Sequence, residues 1–163
     1  MKVSVIGTGY VGIVTGVCFA EKGHQITCVD VDQAKVDSIN KGIPPIYERG
    51  LGDLLKKHVG GRLQASTDLS GAVQQTDLSL IAVGTPFDGR EIDLTYIKAA
   101  SKEIGQALRN KPSYHVVIVK STVVPGTTDE VVCPILEEAS GKKAGVDFGV
   151  GMNPEFLTEG EAV

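Results

Sequence analysis

Apolar positions along this chain fall into short unbroken runs, separated by longer stretches in which they recur at helical spacing. Residues 2–6 form the first run, residues 10–22 follow with a helical pattern, and Gly23 stands where a helix would stop. A second run at 25–30 precedes a helix over 33–40. The rhythm then breaks at 41–50, where Gly42, Pro44 and Pro45 predict a loop, before a short helix at 51–57. A weak strand is expected at 62–66, and Asp68 is placed to cap a helix reaching residue 74. Strong buried strands follow at 77–83 and 115–120, separated by a long helix that Asp93 can cap and that reaches residue 109. A helix over 127–139 and a strand over 148–152 complete the pattern. Strands that are apolar throughout are buried on both faces. About six strands, most of them apolar throughout, alternating with helices predict an α/β fold, a doubly wound parallel sheet in a single domain.

Composition narrows the classes of function. The 163 residues are 42% hydrophobic and 22% charged, with a net charge of −4, and lysines and arginines cluster no further than pairs. Neither nucleic acid nor a membrane surface is therefore an expected partner. No apolar run approaches the roughly 18 residues of a membrane span. Lys2 and the apolar residues after it faintly resemble a signal peptide, but Gly7, Gly9 and Gly12 interrupt them and no small-residue cleavage site follows, so a cytoplasmic protein is expected. Cys18, Cys28 and Cys133 have neither CxxC spacing nor a histidine at ligand distance. They read as small buried hydrophobes, and no metal site is expected.

Chemistry enters at Gly7-Thr8-Gly9-Tyr10-Val11-Gly12. A GxGxxG motif alone is weak, but here it closes a strand and opens a helix. Gly7 allows the tight turn, Gly9 lets a pyrophosphate approach the backbone, and Gly12 lets helix and strand pack closely. The helix N-terminus offers free N–H groups and a positive dipole end to the anion. Asp30 ends the second strand 18 residues after Gly12, where its carboxylate can accept from ribose hydroxyls and repel the extra phosphate of NADP. NAD is the expected cofactor of a Rossmann-type domain. Asp32 competes for the ribose role but is better placed to begin the next helix, and Lys35 can reach the same ribose.

Three later strand ends carry further candidates: Val83-Gly84-Thr85-Pro86, Lys120-Ser121-Thr122-Val123-Val124-Pro125-Gly126-Thr127, and Asn153-Pro154-Glu155-Phe156-Leu157-Thr158-Glu159-Gly160. Thr85 and Thr122 place hydroxyls on sharp turns. Glu155 and Glu159 are four residues apart, so a helical turn would set both on one face, one for proton transfer or water positioning and one for binding. Taken singly, each of these residues also reads as a turn or capping residue.

Together, GTGYVG, VDVD, GTP, STVVPGT and NPEFLTEG resemble the UDP-glucose/GDP-mannose dehydrogenase family, specifically its N-terminal NAD-binding domain, over the whole chain. The loop KGIPPIYERGL looks like that family's insertion facing the nucleotide sugar. The resemblance implies that Gly7, Gly9, Tyr10, Val11, Gly12, Asp30, Lys35, Gly84, Thr85, Pro86, Ser121, Thr122 and Glu159 contact the cofactor. It implies that Thr122 lies near the catalytic water and that Glu155 is the acid/base or water-positioning residue. It further implies oxidation of a nucleotide sugar, UDP-glucose or GDP-mannose, to the uronic acid with two NAD, through a cysteine thioester, by a homodimeric enzyme of polysaccharide biosynthesis. The family's cysteine segment, lysine and asparagine match nothing here, so the expectation is a fragment that binds NAD without turnover. SGKKAGVDFGVGMNPEFL leans toward the GDP-mannose branch and FLTEGEAV fits the UDP-glucose branch, leaving the sugar open. Two other readings share the glycine turn: an NAD(H)-sensing regulatory module and the N-terminal domain of a β-hydroxyacid-type dehydrogenase. Neither accounts for STVVPGT or NPEFLTEG.

Overall fold

The computed structural model describes residues 1–163 as one parallel sheet of six strands with helices on both faces. The strands are β1 (Lys2–Ile6), β2 (Gln25–Val29), β3 (Leu63–Ser66), β4 (Leu78–Ile81), β5 (Val116–Val119) and β6 (Gly149–Met152). The helices are α1 (Tyr10–Glu21), α2 (Gln33–Asn40), α3 (Leu51–His58), α4 (Leu69–Gln75), α5 (Thr95–Arg109) and α6 (Cys133–Ser140). The sheet order is β3-β2-β1-β4-β5-β6, so the chain builds outward from β1 in one direction and then from β4 in the other. Ile6 lies level with Val29 on one side and Ile81 on the other, which brings three strand ends to one line at the point where the winding reverses.

The two faces hold separate cores. Val3 and Val5 of β1 pack with Ile26 and Cys28 under α1, α2 and α3, while Ile6, Ile81, Val117 and Val119 pack under α4, α5 and α6 with Phe148. Alternation along each central strand thus feeds both cores, the reason the strands read as continuous apolar runs. Cys28 is fully buried, and burial pushes its thiol up to about 12. Cys18 and Cys133 are only half-buried.

Element boundaries moved in places for identifiable reasons. Asp32 and Asp68 cap α2 and α4, accepting from Ala34 and Gly71 amides. Asp93 accepts from the Thr95 amide, but Leu94 intervenes before α5 begins. The helix expected over 127–139 divides at Pro134. That residue has no N–H to offer Glu130, and the chain widens into a π turn over Thr128–Val132 in which the Cys133 amide reaches the Thr128 carbonyl.

At the amino ends of the strands lies a buried polar network. His115 is 0% exposed; its Nδ1 meets the Thr76 carbonyl at 3.1 Å and its Nε2 meets Ser79 Oγ at 2.8 Å. A carbonyl only accepts, so Nδ1 carries the proton of the neutral ring and Nε2 accepts from Ser79. Ser79 in turn lies 2.6 Å from Ser4 Oγ. Burial, then the Lys111 ammonium, pushes His115 down to about 4 from its ordinary 6.5. The unfolded chain therefore binds a proton that the folded chain refuses between those values, and stability must fall as pH falls through that window. We expect a loss of about 2 kcal/mol between pH 6.5 and 5, above the carboxylate range. His115→Gln, which keeps hydrogen-bonding groups but does not titrate, should flatten that slope. Denaturant unfolding across pH checks it, and an unchanged slope in the variant would assign the effect elsewhere.

Candidate functional site

The glycine turn leaves β1 at its carboxyl end. Gly7 has φ +99°, and its amide donates to the Val29 carbonyl at 2.7 Å. A Cβ on Gly7 would lie 2.6 Å from the Ala82 carbonyl oxygen, and one on Gly12 would overlap the Gly7 carbonyl. Both glycines are thus demanded by the protein's own packing. Gly9 differs: a Cβ there would meet nothing within 4 Å. It is the N-cap of α1, makes no side-chain cap bond, and the first turn of the helix carries no acidic residue. Uncapped N–H groups beside an open backbone surface form a cradle for an anion such as a dinucleotide pyrophosphate.

Asp30 stands beside that turn. Its Oδ2 accepts from the Thr8 amide at 2.9 Å and from the Thr8 hydroxyl at 2.5 Å, and its Oδ1 accepts from the Asp32 amide at 3.1 Å. Lys35 Nζ lies 3.8 Å away. Burial alone would raise the Asp30 carboxyl, but the Thr8 and Asp32 bonds and the Lys35 charge outweigh it and hold it below its ordinary value. The carboxylate is therefore ionised and locked in orientation by the residue between Gly7 and Gly9.

Across the switch point, Thr85 Oγ1 donates to the Thr122 carbonyl at 2.8 Å, joining the ends of β4 and β5. Gly84, Pro86 and Thr122 are exposed at this rim. Thr85 and Thr122 line a cavity of about 740 Å³ with Phe87, Ile92, Leu94 and Val124. Ser121 belongs to the framework: it is 5% exposed, and its hydroxyl donates to the Val83 carbonyl at 2.7 Å.

The segment after β6 departs from expectation. Residues 153–163 contain no helix, so Glu155 and Glu159 do not share a helical face. Pro154 and Gly160, the latter at φ +93°, bracket an irregular strap. Glu155 instead turns inward. Its Oε2 lies 3.0 Å from Lys120 Nζ, with the two side chains 11% and 13% exposed, and Lys120 also donates to Asn153 Oδ1 at 3.0 Å. Burial works to raise Glu155, but Lys120 and the Leu157 and Phe156 amides hold it below its ordinary value. It is an ionised group suited to accepting a proton or orienting a water. Glu159 is exposed, near enough to the Tyr10 phenol to oppose its ionisation.

Two residues of the site escaped sequence reasoning. Lys120 had a visible signal, a cation ending an apolar strand at the sheet's carboxyl edge. Glu48 had none. It lies in the loop before α3, is 5% exposed, and accepts from Tyr10 Oη at 2.6 Å and the amides of Gly160 and Ala162 at 2.7 and 3.0 Å. That part of the loop turns toward the strap and the glycine turn.

A family model described as the UDP-glucose/GDP-mannose dehydrogenase family, NAD binding domain, matches residues 1–163. GDP-mannose 6-dehydrogenase of Azotobacter vinelandii is 50% identical over 165 residues, covering 100% of this chain and 38% of its own length. UDP-glucose 6-dehydrogenase of Haloferax volcanii is 46% identical over 164 residues, with the same coverages of 100% and 38%. The crystal structure of a ternary complex of GDP-mannose dehydrogenase from Pseudomonas aeruginosa superposes with a TM-score of 0.97 at 50% identity, over 99% of this chain and 38% of that one. The chain thus spans about 38% of the length of these relatives.

The Lys120–Glu155 pair yields a test. In Lys120→Met the burial of Glu155 loses its main counterweight, so its carboxyl should titrate higher than in the unsubstituted chain. Carbon-detected NMR titration of the side-chain carboxyl reads this directly, and an unmoved titration would separate the two residues.

Proposed function

From the premise that the chain belongs to the UDP-glucose/GDP-mannose dehydrogenase family, as its NAD-binding domain, we propose the residues that hold the cofactor and the reaction they serve. The residues present fit a dinucleotide. The open backbone at Gly9 and the uncapped amides of Tyr10, Val11 and Gly12 receive the pyrophosphate, with Gly7 shaping the turn. Asp30, with Lys35 beside it, receives the adenosine ribose. Gly84, Thr85, Pro86 and Thr122 border the nicotinamide end, Ser121 supports their turn, and Glu159 closes the site from the strap. The single observation that carries this reading is the Asp30 carboxylate, which is ionised, oriented by Thr8, and level with the glycine turn at the switch point.

NAD, when bound, supplies the acceptor for a hydride. The chain's own contribution to chemistry is Glu155, after β6, held ionised by Lys120 at the end of β5. It takes a proton or orients a water, and Thr122 places a hydroxyl near the reacting carbon. The whole protein on this reading oxidises the primary alcohol of a nucleotide sugar, UDP-glucose or GDP-mannose, to the acid, passing two hydrides to two NAD in succession and taking the second oxygen from one water. The same reading makes residues 1–163 one functional domain of a cytoplasmic homodimer in polysaccharide biosynthesis, acting without nucleic acid or membrane.

Cofactor discrimination is the test. The chain should bind NAD more tightly than NADP, because a fixed carboxylate repels the additional ribose phosphate. Asp30→Ala should narrow that difference. Calorimetric titration of both cofactors measures it, and equal affinity in the unsubstituted chain would overturn the assignment of Asp30.

A further inference from the structure

Glu48 joins three segments far apart in sequence. Tyr10 sits inside the glycine turn, and its phenol donates to Glu48 Oε2 at 2.6 Å and approaches the Thr158 carbonyl at 3.3 Å. Gly160 donates to the same carboxylate oxygen at 2.7 Å, and Ala162 donates to Oε1 at 3.0 Å. The Tyr10 bond, then those from Ala162 and Gly160, hold the Glu48 carboxyl below its ordinary value against the burial that would raise it. Burial first, then the bond to Glu48, pushes the Tyr10 phenol up to about 12, so the phenol stays a donor. No cation shares in this arrangement: an ionised carboxylate, 5% exposed, is satisfied by neutral donors alone. Remove one donor and the charge becomes costly, so the three contacts stand or fall together.

We propose that Glu48 is a positioning residue that couples the cofactor turn to the strap carrying Glu155 and Glu159. Resting on the reading of the glycine turn as the NAD site, it works in both directions. An anion seated on the amides of Tyr10, Val11 and Gly12 fixes the backbone of Tyr10, its phenol fixes Glu48, and Glu48 fixes the backbone of residues 160–162. By linkage, a fixed strap must favour the bound cofactor by the same factor.

The experiment is hydrogen exchange on the 163-residue chain, with and without NAD, read at the Gly160 and Ala162 amides and paired with NAD titration. In the unsubstituted chain NAD should slow exchange at both amides. In Glu48→Gln, whose amide cannot accept from all three donors, and in Tyr10→Phe, which removes only the phenolic donor, NAD should no longer slow that exchange. NAD affinity should fall at least about fivefold in each. Circular dichroism and melting establish that each variant is folded, and should Glu48→Gln not fold, the unsubstituted chain and Tyr10→Phe still decide. Tight NAD binding with unchanged exchange at Gly160 and Ala162 would overturn the coupling and leave the cofactor reading standing. No NAD binding by the unsubstituted chain would overturn the cofactor reading, and the coupling with it.

Discussion

The start of α1 lies so close to the end of β1 that no side chain fits between them. A Cβ on Gly12 would overlap the Gly7 carbonyl, and one on Gly7 would press on Ala82 at the end of β4. This contact sets the height of the helix above the central strand, and with it the place where the helix presents its free amides. It also joins the two halves of the winding, because β1 and β4 are the neighbours between which the order reverses. The Gly7 amide reaching Val29 and the Ala82 amide reaching Ile6 extend the same alignment across three strands. A larger residue at either glycine would move the cradle, the Asp30 end of β2 and the Thr85 rim together.

Around that fixed point the rim is organised by three carboxylates, Glu48 buried and Asp30 and Glu155 partly so. Asp30 is tied to Thr8, Glu48 to Tyr10 and Glu155 to Lys120, and each is held below its ordinary value by donors that outweigh burial. A buried carboxylate is specific because its desolvation is tolerable only while its donors are in place. Each one therefore selects a geometry between segments that hydrophobic packing would leave free to slide. The opposite end of the sheet uses a different device, a neutral imidazole among hydroxyls.

The fold was largely legible because its signals are local. Runs of apolar residues marked most of the six strands, the one at 62–66 only weakly, Gly23 stopped α1 at φ +95°, and Asp32 and Asp68 cap the helices they precede. The glycine turn and Asp30 were legible for the same reason, since strand, turn, helix and acid lie within thirty residues. What failed depended on distance. Spacing placed Glu155 and Glu159 on a helix, but Lys120, at the end of β5, draws Glu155 inward and the strap stays irregular. Glu48 reads as one acid in a proline-rich loop, and its donors are 38, 112 and 114 residues away. The division of the helix at Pro134 was visible in principle, since proline removes one specific amide bond, yet helical periodicity alone runs straight through it.

The strap that carries Glu155 and Glu159 has no ladder or helix of its own, so its position is set at two places only. One is the Lys120–Glu155 pair near its start, and the other is the Glu48 and Tyr10 cluster near its end, which holds Thr158, Gly160 and Ala162. Hydrogen bonds to charged groups contribute about 1.5–3 kcal/mol each, a range comparable with the cost of opening a local segment. Such a segment can be seated firmly enough to hold a carboxylate in place and still be released at modest cost. Chemistry that admits a substrate, excludes water and then lets a product leave needs that combination. A helix over the same residues would have been simpler to form, but it would have fixed Glu155 and Glu159 to one another. The irregular strap lets Glu155 answer to the β5 end while Gly160 and Ala162 answer to Glu48.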